Sequence, residues 1–225
     1  MNPLALTRLL QLASPTLPVG AYSYSQGLES AVESGIVTSA GTAELWISDL
    51  MDGSMARLEA PLWLRLHAAW TNGDLQRVQY WNDWFIAGRE TAELRAETLQ
   101  MGYSLRRLIF EEDALGMSGL QLSAMQEIAF PTVFSFASVA WSIPAQDALS
   151  GYVWSWLENQ VMAALKTVPL GQSDGQRLLA RLAERIPALC ERASRLADHE
   201  LSNFLPGFAI LSSAHETQYS RLFRS

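Results

Sequence analysis

The 225 residues contain one cysteine, three histidines and one lysine. A lone Cys190 cannot close an internal disulfide, and no Cys and His residues stand at the spacing of a zinc site. That pattern fits a reducing cytosol, so the expected location is cytoplasmic. His67, His199 and His215 are too far apart for one helix to grip a metal through residues i and i+4. Each therefore reads as a surface or capping residue. The phosphate loop G-x-x-x-x-G-K-[ST] and the dinucleotide fingerprint G-x-G-x-x-G do not occur, nor does the nucleophile elbow G-x-S-x-G. Cys190 lies among Leu189, Glu191 and Arg192 and reads as packing, because a catalytic thiol needs a base beside it. Positive charge is also scarce. With 16 Lys and Arg against 23 Asp and Glu, the net charge is −7, and the attraction that draws proteins to phosphate backbones or anionic lipid is missing. Neither nucleic acid nor a membrane is expected as a partner. The uncharged run from Ile128 to Ile143 falls short of the roughly 20 residues a bilayer needs and holds Pro131, so it reads as a buried core helix. Near the start, "LLQLA" after Arg8 is broken by Gln11 and is too short for a secretory signal.

What is abundant is apolar content, 49%, enough for one sizeable core, and it is spaced as helices. Val153, Leu157, Val161, Ala164 and Val168 recur at three and four, as do Leu178, Leu182, Ile186, Leu189 and Leu196. Pro187 should kink the second of these helices. Leu75, Val78, Trp81 and Phe85 form a third stripe, with Asp74 as its N-cap, and Leu94, Met101, Leu105 and Leu108 a fourth. Segments 4–13, 22–34, 42–52, 55–71 and 124–142 also read as helical, although "TVFSFASVAW" fits a buried strand as well. Strict alternation is rare, and the asparagine-glycine pair at Asn72 lies between helical patterns, which argues against hairpins. The expected fold is all-α, a single bundle-like domain of about ten helices over residues 1–214, with 215–225 a flexible tail until a partner binds.

Four polar stretches call for more than packing. "SPTLPVGAYSYSQGLES", residues 14 to 30, combines two prolines, two glycines and a run of small polar residues; Leu28 and Val32 should point inward while Gln26 and Glu29 face out. "GRETAELRAETLQMG", residues 88 to 102, interleaves Arg89, Glu90, Glu93, Arg95 and Glu97 on a helix, most simply as a solvated face. In "VPLGQSDGQ", residues 168 to 176, Pro169 and Gly171 end one helix while Ser173 and Gln176 can form a capping box for the next. Gln172 and Asp174 are then left beside exposed amides, and Lys166, the one lysine, stands on a polar stripe just before them. The tail "HETQYSRLFRS" sets Leu222 and Phe223 between Arg221 and Arg224, apolar anchors with charged flanks of the kind that dock on a partner.

These stretches, "LASPTLPVGAYSYSQGLE", "RETAELRAETLQMG", "AFPTVF", "YVWSWLENQVMAALKTVPLGQSDGQRLL" and "HETQYSRLFRS", resemble the urease accessory protein F family, UreF, in the family's own order and over nearly the whole chain. The resemblance implies an all-α, commonly dimeric adaptor without a catalytic site. It would bridge urease accessory protein D, called H in some bacteria, and the nickel-carrying GTPase UreG, with the assembly docking on apo-urease. Nickel and GTP would be handled by those partners, leaving this chain no cofactor of its own. The residues expected to meet partners are Gln26, Glu29, Arg89, Glu90 and Arg95; Lys166, Gln172, Asp174 and Gln176, on the GTPase side; and His215, Glu216, Tyr219, Arg221, Leu222, Phe223 and Arg224, on the side of the D protein. A competing expectation is a GTPase-activating protein whose Arg89 or Arg95 acts as an arginine finger; a helical hydrolase with an unrecognised Ser or His is a weaker third. The chain departs from the family pattern at Gln26, where many members carry His, and at Ala21 and Ser142, where glycine is common.

Overall fold

The structure is a computed structural model that describes residues 1–111, 119 and 122–225, and among these no strand occurs. The stripes legible in the sequence are the faces that pack. In α8 (Ala145–Thr167), the longest helix among the described residues, Leu149, Val153, Leu157, Val161 and Ala164 are all buried. Around it lie α1 (Pro3–Leu12), α2 (Leu28–Glu33), α3 (Ala40–Leu50) and α4 (Ala60–Thr71), then α7 (Phe130–Ala140), α9 (Gln172–Ala183) and α10 (Ile186–Arg195). Helix α5 (Leu75–Ala87) packs on α4, and α6 (Ala92–Glu111) packs on α7. Helix α11 (Pro206–His215) lies on α2.

Helix α7 settles the ambiguous segment. Every residue from Phe130 to Ser138 is buried, a pattern that both a core strand and a core helix would give, but Pro131 sits in the first turn, where its missing N–H is harmless. The backbone donors at that end are met from other elements. Asn82 of α5, fully buried, accepts from the Ala129 N–H at 2.9 Å and from the Thr132 hydroxyl at 2.9 Å, and Thr98 of α6 accepts from the Phe130 N–H at 3.1 Å. Gly102 lets α6 approach: a Cβ there would stand 2.2 Å from the Ile128 carbonyl oxygen. Trp63, Phe130, Phe134 and Tyr152 form an aromatic cluster at centroid separations of 5.3 to 6.4 Å.

Three local expectations change. Residues 40–71 form one continuous helical run rather than two helices, because Met51–Glu59 is a π-helix that carries the chain from α3 into α4. Pro187 does not kink a helix; it stands in the first turn of a separate one, α10, after a break at residues 184–185. Ser173 and Gln176 do not make the capping box at the start of α9. Asp174 instead accepts from the Gly171 N–H at 3.4 Å. Asp74 does cap α5, accepting from the Arg77 N–H at 3.0 Å. No helix among the described residues is long and apolar enough to cross a membrane.

Candidate functional site

The opening stretch is not a helix from residue 22. It makes a single 3-10 turn, Ala21–Ser23, runs extended through Tyr24, and enters α2 only after two successive left-handed residues, Gln26 (φ 52°) and Gly27 (φ 77°). That backward turn, open to Gly and strained for Gln, aims the residues before it away from the helix and toward the end of the chain. Ser23 accepts from the Arg224 N–H at 2.7 Å through its carbonyl, and the N–H and hydroxyl of Ser25 both donate to the Ser225 carbonyl oxygen, at 2.7 and 2.5 Å. Tyr24, between them, faces the core and accepts from the Asn159 amide at its carbonyl. The stretch thus offers its backbone as an edge on which the C-terminal segment lies.

Two carboxylates, one from α2 and one from α6, hold that segment from the other side. Glu29 accepts from the Leu222 N–H at 2.7 Å and the Phe223 N–H at 2.9 Å, and its second oxygen lies 3.2 Å from His215 Nε2. Glu93 lies 2.7 Å from His215 Nδ1 and accepts from Arg221 at 2.6 Å. Glu216 caps α6, accepting from the Ala92 N–H at 2.8 Å, a favourable place for a carboxylate because the N-terminal amides of a helix carry partial positive charge. Phe223 is buried, and the Lys166 ammonium stands 5.3 Å from its ring and 5.8 Å from that of Tyr22.

Behind this clamp is a polar centre. Arg89 and Glu59, each nine-tenths buried, pair at 2.9 Å; Tyr152 donates to Glu59 at 3.1 Å, and the Arg89 guanidinium lies 4.1 Å from the Phe85 ring. Burial and the Glu59 charge both push the Tyr152 phenol well above its usual range, while Glu59 holds Arg89 charged against its burial. Gln26 ties this centre to the surface: its amide donates to Glu97 at 2.7 Å and its carbonyl accepts from Trp156 at 2.8 Å and Gln160 at 3.2 Å. Ser225 donates to the other oxygen of Glu97 at 3.0 Å. Burial, working against those two hydrogen bonds, raises the Glu97 carboxyl to about 7. A cavity of about 80 Å³ lies under residues 12–22 and is lined by Glu59, Arg89, Glu97 and Tyr152 among apolar neighbours.

Several residues expected at a partner surface are therefore enclosed. Gln26 and Glu29 do not face out: Gln26 is consumed by three side-chain hydrogen bonds, and Glu29 is buried under residues 222–223. Arg89 is buried in its ion pair, so its guanidinium is not presented as a finger. His215 is fully buried rather than a surface or capping residue, and Phe223 is turned inward. Residues 221–225 pack against their own chain, where Glu29 and Glu93 supply acceptors for Leu222, Phe223 and Arg221 that composition could not reveal. Glu90, Tyr219, Leu222 and Arg224 remain exposed, and Arg95 is about half exposed beside Glu127 at 2.8 Å. On the other side, Lys166, Gln172 and Gln176 are exposed, whereas Asp174 is held by Arg177 at 2.5 Å. Glu59, Glu93, Glu97 and Tyr152 are the members of the site that sequence reasoning missed or read as solvated. No cluster of His, Cys, Asp and Glu that could hold a metal occurs among the described residues.

The fold and the site together define an all-helical domain in which a buried polar network fastens its own C-terminal segment. Proteins similar to it are urease accessory proteins. The family model UreF matches residues 37–183. The urease accessory protein UreF of Azoarcus sp. (strain BH72) is 60% identical, over 99% of this chain and 96% of that protein; that of Dechloromonas aromatica is 54% identical, over 99% and 98%; and that of Methylobacillus flagellatus is 51% identical, over 98% of each. The chain belongs to the UreF family.

Proposed function

We propose that this protein is a non-catalytic adaptor of urease maturation, working in the cytoplasm as a homodimer. It bridges urease accessory protein D/H and the nickel-carrying GTPase UreG, docks with them on apo-urease, and supports GTP-dependent nickel insertion. The observation that carries the reading is the likeness to UreF proteins along the whole chain. The exposed Lys166, Gln172 and Gln176, at the junction of α8 and α9, suit the GTPase: a cation and neutral amides beside a helix N-terminus offer complementarity without burial. The exposed Tyr219 and Leu222, flanked by Arg221 and Arg224, suit the D/H protein as aromatic and aliphatic anchors with a charged rim. Nickel and GTP are cargo and cofactor of the partners. The alternative, an activating protein with an arginine finger, falls to Arg95, since Arg89 is committed to Glu59. Co-purification with the D/H protein and the GTPase, scored by nickel-dependent urease activation, tests the adaptor reading. Retention of both partners by the triple alanine variant at 166, 172 and 176 would refute the GTPase face, and loss of GTPase stimulation in Arg95→Ala with binding intact would favour the finger.

A further inference from the structure

Glu97 is where three segments remote in sequence meet. Its carboxyl oxygens receive Gln26 of the opening stretch and Ser225 of the C-terminal segment, and it belongs itself to α6. The opening stretch and the C-terminal segment are joined again beside it by the bonds from Ser25 to Ser225. We propose that Glu97 is a proton-linked latch: its protonated carboxyl closes the C-terminal segment onto the opening stretch, and loss of that proton favours release of the segment into water.

The geometry gives the direction. Glu97 is almost wholly buried and lines the cavity. From the π-helix it faces Glu59, a like charge; Arg89, the cation that acts on it, is already paired to Glu59. From α8 it faces the Tyr152 phenol, and Glu158 of α8 lines the same cavity. From the opening stretch it faces Tyr24, whose hydroxyl is engaged by Arg224 of the C-terminal segment. Helix α7 presents Phe130 and Thr98 of α6 is taken up by its N–H. An ionised Glu97 therefore lacks an uncommitted counter-charge and is kept from water by the closed segment. In the protonated form, one oxygen accepts from Gln26 while the hydroxyl donates to the Ser225 oxygen, so every bond is kept. Opening the segment hydrates the carboxyl and returns it toward its ordinary value of 4.5, against about 7 when closed. The closed form thus binds the proton more tightly, closure is strongest at low pH, and it weakens as pH rises from 4.5 through 7. With those two values the open-to-closed ratio rises about tenfold between roughly pH 6 and 8. The effect is independent of which partner the segment meets.

Amide hydrogen exchange on the full-length chain, corrected for the intrinsic pH dependence of exchange, tests this at Ser25, Leu222, Phe223 and Arg224, whose N–H groups make the closing bonds. Protection in the wild-type chain should fall about tenfold from roughly pH 6 to 8, and Glu97→Gln, which keeps one acceptor for Gln26 and a donor for Ser225, should abolish that fall. A wild-type fall smaller than about threefold, or an equal fall in Glu97→Gln, would overturn the latch. Should that variant not fold, the carboxyl-carbon titration of Glu97 in the wild-type chain decides: a midpoint coincident with the loss of protection supports it, and midpoints about a unit or more apart overturn it.

Discussion

Replacing Glu29 by alanine strips the clamp of its central acceptor. Three donors lose their partner at once: the Leu222 and Phe223 N–H groups, at 2.7 and 2.9 Å, and the His215 ring at 3.2 Å. Hydrogen bonds to a charged group contribute about 1.5–3 kcal/mol each, so their plain sum would be several kcal/mol. The chain does not have to bear that sum, because the segment can leave. Its docking holds the Phe223 side chain, whose burial is worth about 1.5–3 kcal/mol, against an ordering cost of roughly 1–2 kcal/mol per residue. Once the Glu29 bonds are gone, Phe223 and the remaining bonds from Arg224 to Ser23, Ser25 to Ser225 and Ser225 to Glu97, at about 0.5–1.5 kcal/mol each, only balance that cost, and residues 222–225 open readily. His215 stays buried with Glu93 and one nitrogen unmatched, a penalty of about 1–3 kcal/mol. The expected global loss is therefore about 2–4 kcal/mol, which for a chain of this size lowers Tm by roughly 5–15 °C, while the Phe223 and Arg224 amides lose nearly all protection from exchange. Glu29→Gln should fall between, since it retains an acceptor but turns an NH2 toward an N–H. Thermal melting together with hydrogen exchange reads both effects. If Glu29→Ala leaves the Phe223 amide protected within about twofold of wild type, the clamp is not what holds the segment.

Other consequences are equally direct. Gly102→Ala should lower stability by about 2 kcal/mol or more, seen in denaturant melts, because its Cβ would meet the Ile128 backbone at 2.2 Å and α6 would have to move off α7. Ser142→Gly should raise stability by up to about 1 kcal/mol, since Ser142 sits at φ 54°, a conformation glycine takes without strain; an unchanged or lowered midpoint would show that the strain is already relieved. Arg89→Met should destabilise by about 3 kcal/mol, as removing one partner leaves Glu59 charged and buried, and the double variant with Glu59→Leu should recover much of the loss. Alanine at Lys166, Gln172 and Gln176 should leave Tm within about 1 °C, because all three are exposed, and should weaken GTPase recruitment in pull-downs.

The helices were legible in the chain itself. A stripe such as Val153, Leu157, Val161 and Ala164 states its buried face through a period that depends on backbone geometry alone, and the Asp74 cap is a contact three residues long. The all-α class and the order of the family's motifs follow from information of this local kind. The break before Pro187 and the join at residues 51–59 are not written in the local pattern, because both depend on how neighbouring helices accept a broken or widened turn. The site was beyond the sequence for a related reason. Glu93 and Glu97 look like a solvated face when read along their helix, and Glu29 like a free carboxylate, yet His215 meets Glu29 across 186 residues and Ser225 meets Glu97 across 128. Whether a carboxylate faces water or a buried donor is set by which segment packs over it, and only the tertiary structure brings the end of the chain onto its beginning.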